Sequence, residues 1–193
     1  METPVATAAP ADSRSGAITY GLLGIVLVVS AIFAVSSGFY SNWYAIFRAV
    51  HVLVAVLWVG GGLLLTILGL SAQRKTDASE LVTVARQAAF VGEKIFAPAG
   101  LVVLAMGIAM MINTDWGWGT FWIDAGLIGY ASSFVVGVAV LSPLAKRIVA
   151  SSEQNGATHP ETVALINRIM LIARVDVAVL LLVVADMVTK PFS

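Results

Sequence analysis

Polar positions are scarce along most of this chain, and short polar segments separate five predominantly apolar stretches. Each stretch has about the 20 residues that a helix needs to cross a hydrocarbon core about 30 Å thick. The stretches are Ile18 to Ser37, Ile46 to Leu70, Ile95 to Ile112, Phe121 to Leu144 and Ile169 to Val188. The pattern predicts an all-α fold, a polytopic transmembrane bundle with five membrane-spanning helices.

Composition supports a membrane protein and excludes several functions. Apolar residues make up 59% of the 193 residues and charged residues only 11%, against about 25% charged residues in soluble domains. The formal net charge is zero, so no strong field favours nucleic acid as a partner. The chain has no cysteine, which excludes disulfides and metal centres with cysteine ligands.

The N-terminal segment differs in character from the rest of the chain. Residues 1–17 are rich in Ala, Pro, Ser and Thr, which predicts a disordered tail before a single transmembrane helical domain over 18–193. The stretch Ile18 to Ser37 could instead be a signal peptide. It is longer than the 7 to 15 apolar residues typical of such peptides, so we expect a retained helix.

The positions of lysine and arginine predict the orientation. Two polar segments hold most of the basic residues. The first contains Arg74, Lys75 and Arg86, and the second contains Lys146, Arg147 and Arg168. The segment Asn113 to Thr120 contains no basic residue. Because basic segments favour the cytoplasm, we expect a protein of the cytoplasmic membrane, with its N-terminus inside and its C-terminus outside. Aromatic residues cluster near the opposite, outer interface, as expected for amphipathic rings.

Small residues predict close helix packing in two stretches. In the fourth stretch they recur every four residues, at Ala125, Gly129, Ser133 and Gly137, and the second stretch holds Gly60, Gly61 and Gly62. Such ridges let a neighbouring backbone approach closely. Pro98 stands one turn into the third stretch, where its missing N–H costs little.

His51 is the one histidine within the apolar stretches. It shares a helix face with Trp58 and Gly62, and Arg48 lies one turn earlier on the same side. Such an imidazole could hydrogen-bond a neighbouring helix, ligate a metal ion or haem iron, or contact a substrate. Met187, at a similar depth, is the candidate second axial ligand. The candidate cofactor residues are therefore His51, Trp58 and Met187.

Two groups of charged residues stand within the stretches. The outer group comprises Arg48, His51, Asp124, Asp186 and Lys190. Its members could converge around His51. Asp186 stands four residues before Lys190, the spacing that favours an ion pair within one helix. Both aspartates could also lie shallow enough to reach the headgroups. Charges in hydrocarbon normally face partners or water.

The inner group comprises Glu93, Lys94, Arg174 and Asp176. Arg174 and Asp176 are two residues apart and project from different helix faces, so we expect them to reach other helices. The predicted cross-helix pairs are Glu93 with Arg174 or Lys94 with Asp176. They would form a structural ion-pair clamp or part of a proton or ion pathway.

Other familiar chemistries lack their residues. Two stacked haems between helices need four intramembrane histidines, and the only other histidine is His159, in a polar segment beside Pro160. The sequence has no phosphate-binding glycine loop, zinc-protease motif or serine-hydrolase elbow. The sequence therefore favours a protein that is not an enzyme.

Three segments resemble an uncharacterised bacterial family of predicted integral membrane proteins, over roughly Tyr44 to the C-terminus. They are His51-Val-Leu-Val-Ala-Val-Leu-Trp58-Val-Gly-Gly-Gly, Val91-Gly-Glu-Lys-Ile-Phe-Ala-Pro98-Ala-Gly and Asp186-Met-Val-Thr-Lys190-Pro191. That family is distantly similar to the copper-resistance D membrane domain and to HemJ-type protoporphyrinogen oxidases, in which a matching histidine is associated with haem. The resemblance implies His51 as that histidine.

The chain departs from the HemJ-type pattern after the glycines. It reads Leu68-Gly-Leu-Ser-Ala-Gln-Arg74-Lys75 where that pattern has a Pro-Arg-Leu stretch, which argues against porphyrinogen oxidation. One hypothesis is a redox accessory protein linked to haem b or a metal ion at His51. The other is a non-enzymatic transporter component or accessory subunit of a larger complex. Predicted partners are the lipid bilayer and a membrane protein or a second copy of the chain.

Overall fold

The computed structural model describes residues 42–75, 77–114 and 116–192, together with Val28. The predicted tail and nearly all of the first apolar stretch therefore lie outside the described residues. The described part contains four helices, α1 (Trp43–Lys75), α2 (Ala78–Asn113), α3 (Phe121–Asn155) and α4 (Pro160–Thr189), and no strand. The predicted all-α fold is confirmed for this part of the chain.

The prediction of five membrane spans is not supported. Within the described residues, three helices are long and apolar enough to cross a membrane, namely α1, α2 and α3. The fifth stretch lies in α4, which also carries Arg168, Arg174, Asp176 and Asp186 and is therefore too rich in charge to qualify. Apolar side chains nevertheless face outward on α4 as well, including Leu182 and Val188.

Helices α2 and α3 are longer than their apolar stretches. They contain 36 and 35 residues, so at 1.5 Å per residue each is more than 50 Å long, beyond the roughly 30 Å of hydrocarbon. Arg86, Lys146 and Arg147, which the sequence placed in loops, are therefore helical. Arg86 on α2 pairs with Glu153 on α3 at 3.2 Å, on the outside of these extensions.

An apolar core holds the extensions together. Its buried residues recur at helical spacing on α2, α3 and α4, and they are Val82, Ala85, Ile148, Ile166 and Met170. The predicted boundary at Ile95 missed this amphipathic segment because only one of its faces is apolar.

The connection between α1 and α2 is short because the start of α2 is well capped. The Asp77 carboxylate accepts hydrogen bonds from the Ser79 hydroxyl at 2.7 Å and from the backbone N–H groups of Ser79 and Glu80. These bonds, led by that of the Ser79 hydroxyl, hold the pKa of Asp77 below its usual value. Such a cap satisfies the free N–H groups of the first turn.

Helices α2 and α3 each contain one wide, π-type turn that ends two residues before a proline. In α2 the turn Gly92–Phe96 precedes Pro98, and in α3 the turn Gly137–Leu141 precedes Pro143. The following N–H donates five residues back, from Ala97 to Gly92 and from Ser142 to Gly137. This shift in register accommodates a ring that would clash with the carbonyl four residues earlier. Pro98 thus lies in mid-helix and not near a helix start.

The ridge of small residues on α3 packs against α4 as predicted, except at its end. A side chain on Gly129 would strike Val183, and the Ser133 hydroxyl contacts Asp176. Among the described residues, nothing packs against Gly137. On α1, Gly61 packs against Phe96, whereas no described residue lies within 4 Å of where a Cβ of Gly60 or Gly62 would stand.

Candidate functional site

Two cavities lie one beyond the other between the four helices. The histidine cavity, of about 1600 Å³ including its open side, is lined by His51, Trp58, Gly107, Trp122, Tyr130 and Met187 among others. The aspartate cavity, of about 1010 Å³ measured in the same way, is lined by Trp58, Thr66, Phe96, Phe134, Ser142 and Asp176 among others. Trp58 and Leu180 line both cavities and therefore form part of the wall between them.

An aromatic cluster builds that wall. The Trp58 ring meets Tyr130 edge-on at 5.5 Å between centroids and Phe134 at 6.3 Å, while Tyr130 and Phe134 stack at 5.8 Å. The Tyr130 hydroxyl donates to the carbonyl of Gly100 at 2.9 Å, which fixes its ring across the bundle. The spacing of four between Tyr130 and Phe134 is a signal for one helix face that the sequence analysis did not use.

Within the part of the chain that the structure describes, one nitrogen of His51 has a partner and the other has none. Its Nδ1 lies 2.8 Å from the carbonyl oxygen of Val103 on α2, and Gly107 leaves room for the ring, whose Cε1 is 3.4 Å from where a Cβ would stand. A carbonyl can only accept, so Nδ1 carries the hydrogen. In the neutral ring Nε2 then keeps its lone pair.

The structure brings the three predicted cofactor residues together. His51 from α1, Trp58 two turns further along α1, and Met187 from α4 all line the histidine cavity. Met187 reaches it across Gly126 of α3, where a larger side chain would strike the thioether. No group of three His, Cys, Asp or Glu side chains within residues 42–75, 77–114 and 116–192 is arranged to hold a metal ion.

The described residues show no contact between the outer charges and His51. Across the described residues, no hydrogen bond or ion pair joins His51 to an acidic side chain; its partner is Val103. Asp124 does not line the histidine cavity, and Arg48 is exposed one turn from His51. Asp186 lies beside Gly126, and no described residue forms a hydrogen bond with its buried Oδ2.

The predicted ion pair between Asp186 and Lys190 is wrong. Helix α4 ends at Thr189, and Lys190 adopts a left-handed backbone conformation with φ of 46°. This conformation directs the ammonium group away from the aspartate, to 4.3 Å from the Trp116 ring centroid and 5.0 Å from that of Trp122. Such cation–π contacts replace the expected salt bridge.

The inner charges form different pairs from those predicted. Glu93 pairs with Lys146 of α3 and with its neighbour Lys94, the latter at 3.2 Å. Arg174 donates to the Gln73 side chain of α1 at 2.6 Å. Neither Glu93 with Arg174 nor Lys94 with Asp176 is in contact, because α2 and α3 pair with each other along their extensions.

Arg174 and Asp176 do reach different helices, as their spacing predicted. Asp176 accepts a hydrogen bond of 2.6 Å from Ser133 of α3, while Arg174 turns to α1. Arg174 and Asp176 thus have neutral polar partners, whereas Glu93 keeps a charged partner in Lys146. Sequence analysis could not identify Ser133 and Gln73 as these partners, because neither side chain is charged.

His159, the other histidine, caps α4 outside the cavities. Its Nδ1 accepts a hydrogen bond of 3.4 Å from the N–H of Glu161, and Pro160 occupies the first turn. A proline there loses no helical hydrogen bond, so the pair starts the helix. The predicted position of His159 in a polar connecting segment is consistent with this role.

Comparison with known proteins places the chain in a family defined by sequence. Residues 45–191 match the family model described as "Predicted integral membrane protein (DUF2269)". No curated protein and no solved structure matches the chain, so the distant similarity to copper-resistance D and HemJ-type proteins has no support from these comparisons. The match covers most of the chain, which therefore belongs to the DUF2269 family of predicted integral membrane proteins.

Proposed function

We propose that the histidine cavity binds haem b through His51, and that the protein is a haem-linked redox accessory protein of the membrane. The observation that supports this proposal is the hydrogen bond from Nδ1 of His51 to the Val103 carbonyl. Histidines that ligate metal commonly donate their other ring N–H to a carbonyl or carboxylate, which fixes the tautomer and raises the basicity of the ligand nitrogen.

The cavity suits a large, flat, apolar group. Its lining is almost entirely apolar, with Trp58, Trp122 and Tyr130 as aromatic walls and Gly107 beside the imidazole. Met187 lines the same cavity, and with His51 it would hold the haem iron. The Lys190 ammonium lies over Trp116, which also lines the cavity, and its charge would complement the propionates.

A haem in this cavity would supply one-electron transfer. The protein would contribute an oriented imidazole, an apolar lining that excludes water, and a positive charge close to the lining. Substrate turnover is not needed for such a role, and an electron carrier or sensor would use the same residues.

The test is a titration of the purified protein with haem b in mild detergent, followed by its Soret absorption. We expect a saturable band shift with the parent protein and its loss in His51→Ala, because ligation depends on that nitrogen. His159→Ala is the matched control, since the second histidine is outside the cavities and should leave the shift intact. A shift that survives His51→Ala, or no shift in the parent, would refute the proposal.

A non-enzymatic transport component is the second candidate. The two cavities lie in line within the bundle and are separated by a wall that includes Trp58 and Leu180. Movement of one aromatic side chain would join them into a single passage. An absence of haem binding together with uptake or release of a solute by protein-containing vesicles would favour this function.

For the orientation, we propose that the end of the bundle carrying Arg86 and Lys146 faces the cytoplasm of a bacterial cell, with the C-terminus outside. Gly117, in the connection between α2 and α3, has open space around it, and Gln154 is exposed at the opposite end of α3. Gln154 is preferable to Gly156, whose φ of 95° suits glycine.

We expect Gly117→Cys to react with a membrane-impermeant maleimide on intact cells, and Gln154→Cys to react only after permeabilisation. Each variant contains a single thiol because the chain has no cysteine. Equal labelling of both variants after permeabilisation controls for reactivity. The reverse pattern on intact cells would invert the topology.

A further inference from the structure

The aspartate cavity contains one ionisable group in otherwise apolar surroundings. Among the described residues that line it, Asp176 is the only ionisable one. The Thr66 hydroxyl is committed to the carbonyl of Gly62 within α1, at 2.9 Å. The lining therefore offers one carboxylate and otherwise mainly apolar surface.

The carboxyl group of Asp176 has no cationic partner within the described part of the chain. Its Oδ1 accepts one hydrogen bond from Ser133, and no described group donates to Oδ2. The nearby cations are committed elsewhere, Arg174 to Gln73 and both Lys94 and Lys146 to Glu93. A carboxylate in this setting normally marks a functional site, because an ionised group in hydrocarbon is costly unless it meets a partner or water.

Aromatic rings complete the cavity. Trp58, Phe96 and Phe134 all line it, and Trp58 meets Phe134 edge-on. The faces of such rings attract cations, and quaternary ammonium groups are recognised in this way in other proteins. A carboxylate and several aromatic rings in one apolar cavity have the same complementary ligand, which is an apolar molecule with a positive charge.

We propose that the aspartate cavity binds a lipophilic organic cation, with Asp176 as its counter-ion. The ammonium group would be placed at the carboxylate, and the apolar part would contact Trp58, Phe96 and Phe134. The site is separate from the histidine cavity and does not depend on haem binding there.

The test compares two probes of the same shape. Benzyltrimethylammonium carries a quaternary nitrogen, and neopentylbenzene has a carbon atom in its place. We expect the purified protein in lipid nanodiscs to bind the cation at least tenfold more tightly than the neutral probe, with binding to empty nanodiscs subtracted. Equal affinity for the two probes would show a merely apolar cavity and overturn the proposal.

Substitutions at Asp176 test whether its carboxylate is the counter-ion of the bound cation. Asp176→Asn should weaken binding of benzyltrimethylammonium at least tenfold, whereas Asp176→Glu should retain most of it because the charge remains. Asp186→Asn is the matched control, since that carboxylate is on the same helix but does not line the aspartate cavity. Unchanged affinity in Asp176→Asn, or an equal loss in Asp186→Asn, would show that Asp176 is not the counter-ion.

Discussion

Replacing Trp58 by alanine is expected to lower the free energy of unfolding by about 3 to 5 kcal/mol, the usual cost of removing a large aromatic side chain from a packed core. Only 8% of Trp58 is exposed, and its ring contacts Tyr130 and Phe134. Within a membrane bundle the loss comes from dispersion contacts more than from transfer to water. The substitution would also merge the two cavities, because Trp58 lines both.

The measurement is a denaturation curve in mixed micelles, recorded by circular dichroism for parent and variants. Trp118→Ala removes the same side chain where it is 68% exposed, so it should cost less than about 1 kcal/mol. Trp58→Phe should fall between the two because it leaves one ring in the wall. If Trp58→Ala and Trp118→Ala were equally stable, the wall between the cavities would not contribute to the fold.

Replacing Ile148 by alanine is expected to cost about 2 to 5 kcal/mol. The side chain is fully buried at 0% exposure, in the cluster that joins the extensions of α2 and α3 to the start of α4. That cluster includes Val82 and Ile166, which would border the space left by the missing atoms. A cavity there would weaken the contact of three helices at once.

Ile128→Ala is the control on the same helix, since Ile128 is 68% exposed and should tolerate the same change with little loss. Ile148→Val should cost only about 0.5 to 1.5 kcal/mol. Unfolding followed by the same denaturant series would separate the three variants. A stability of Ile148→Ala equal to that of Ile128→Ala would mean that the extensions do not pack as described.

The sequence alone predicted the character of the chain well. Long apolar stretches identified helices in a membrane because backbone polar groups in lipid must be satisfied within a helix or a closed barrel. The second, third and fourth stretches correspond to parts of α1, α2 and α3. The small-residue ridge at Gly129 and Ser133 was found from spacing, since residues four apart share a helix face.

The ends of the helices were predicted poorly. The third apolar stretch begins at Ile95, but α2 already begins at Ala78; the fourth stretch ends at Leu144, but α3 continues to Asn155. Both extensions are helical because each buries one apolar face against its neighbours. Pro98 is in mid-helix because the wide turn Gly92–Phe96 makes room for the proline ring. Amino-acid composition does not predict such a turn.

Partners of polar side chains depended on the tertiary structure. Asp186 and Lys190 have the spacing of an ion pair, but the left-handed backbone at Lys190 sends its ammonium group to Trp116 and Trp122. Asp176 was expected near a lysine and instead meets Ser133. Spacing along a chain fixes which face a residue occupies, whereas the register between helices decides what it touches.

The sequence by itself determined the helical membrane character of this protein and its sparse polar residues, because both follow from local composition and periodicity. Only the tertiary structure decided that His51 and Met187 line one cavity and Asp176 another, with Trp58 between them. These residues come from separate helices, and their proximity follows from how side chains of different sizes pack across the bundle. The sequence gives the size of each side chain, but the cavities between side chains form only when the helices pack together.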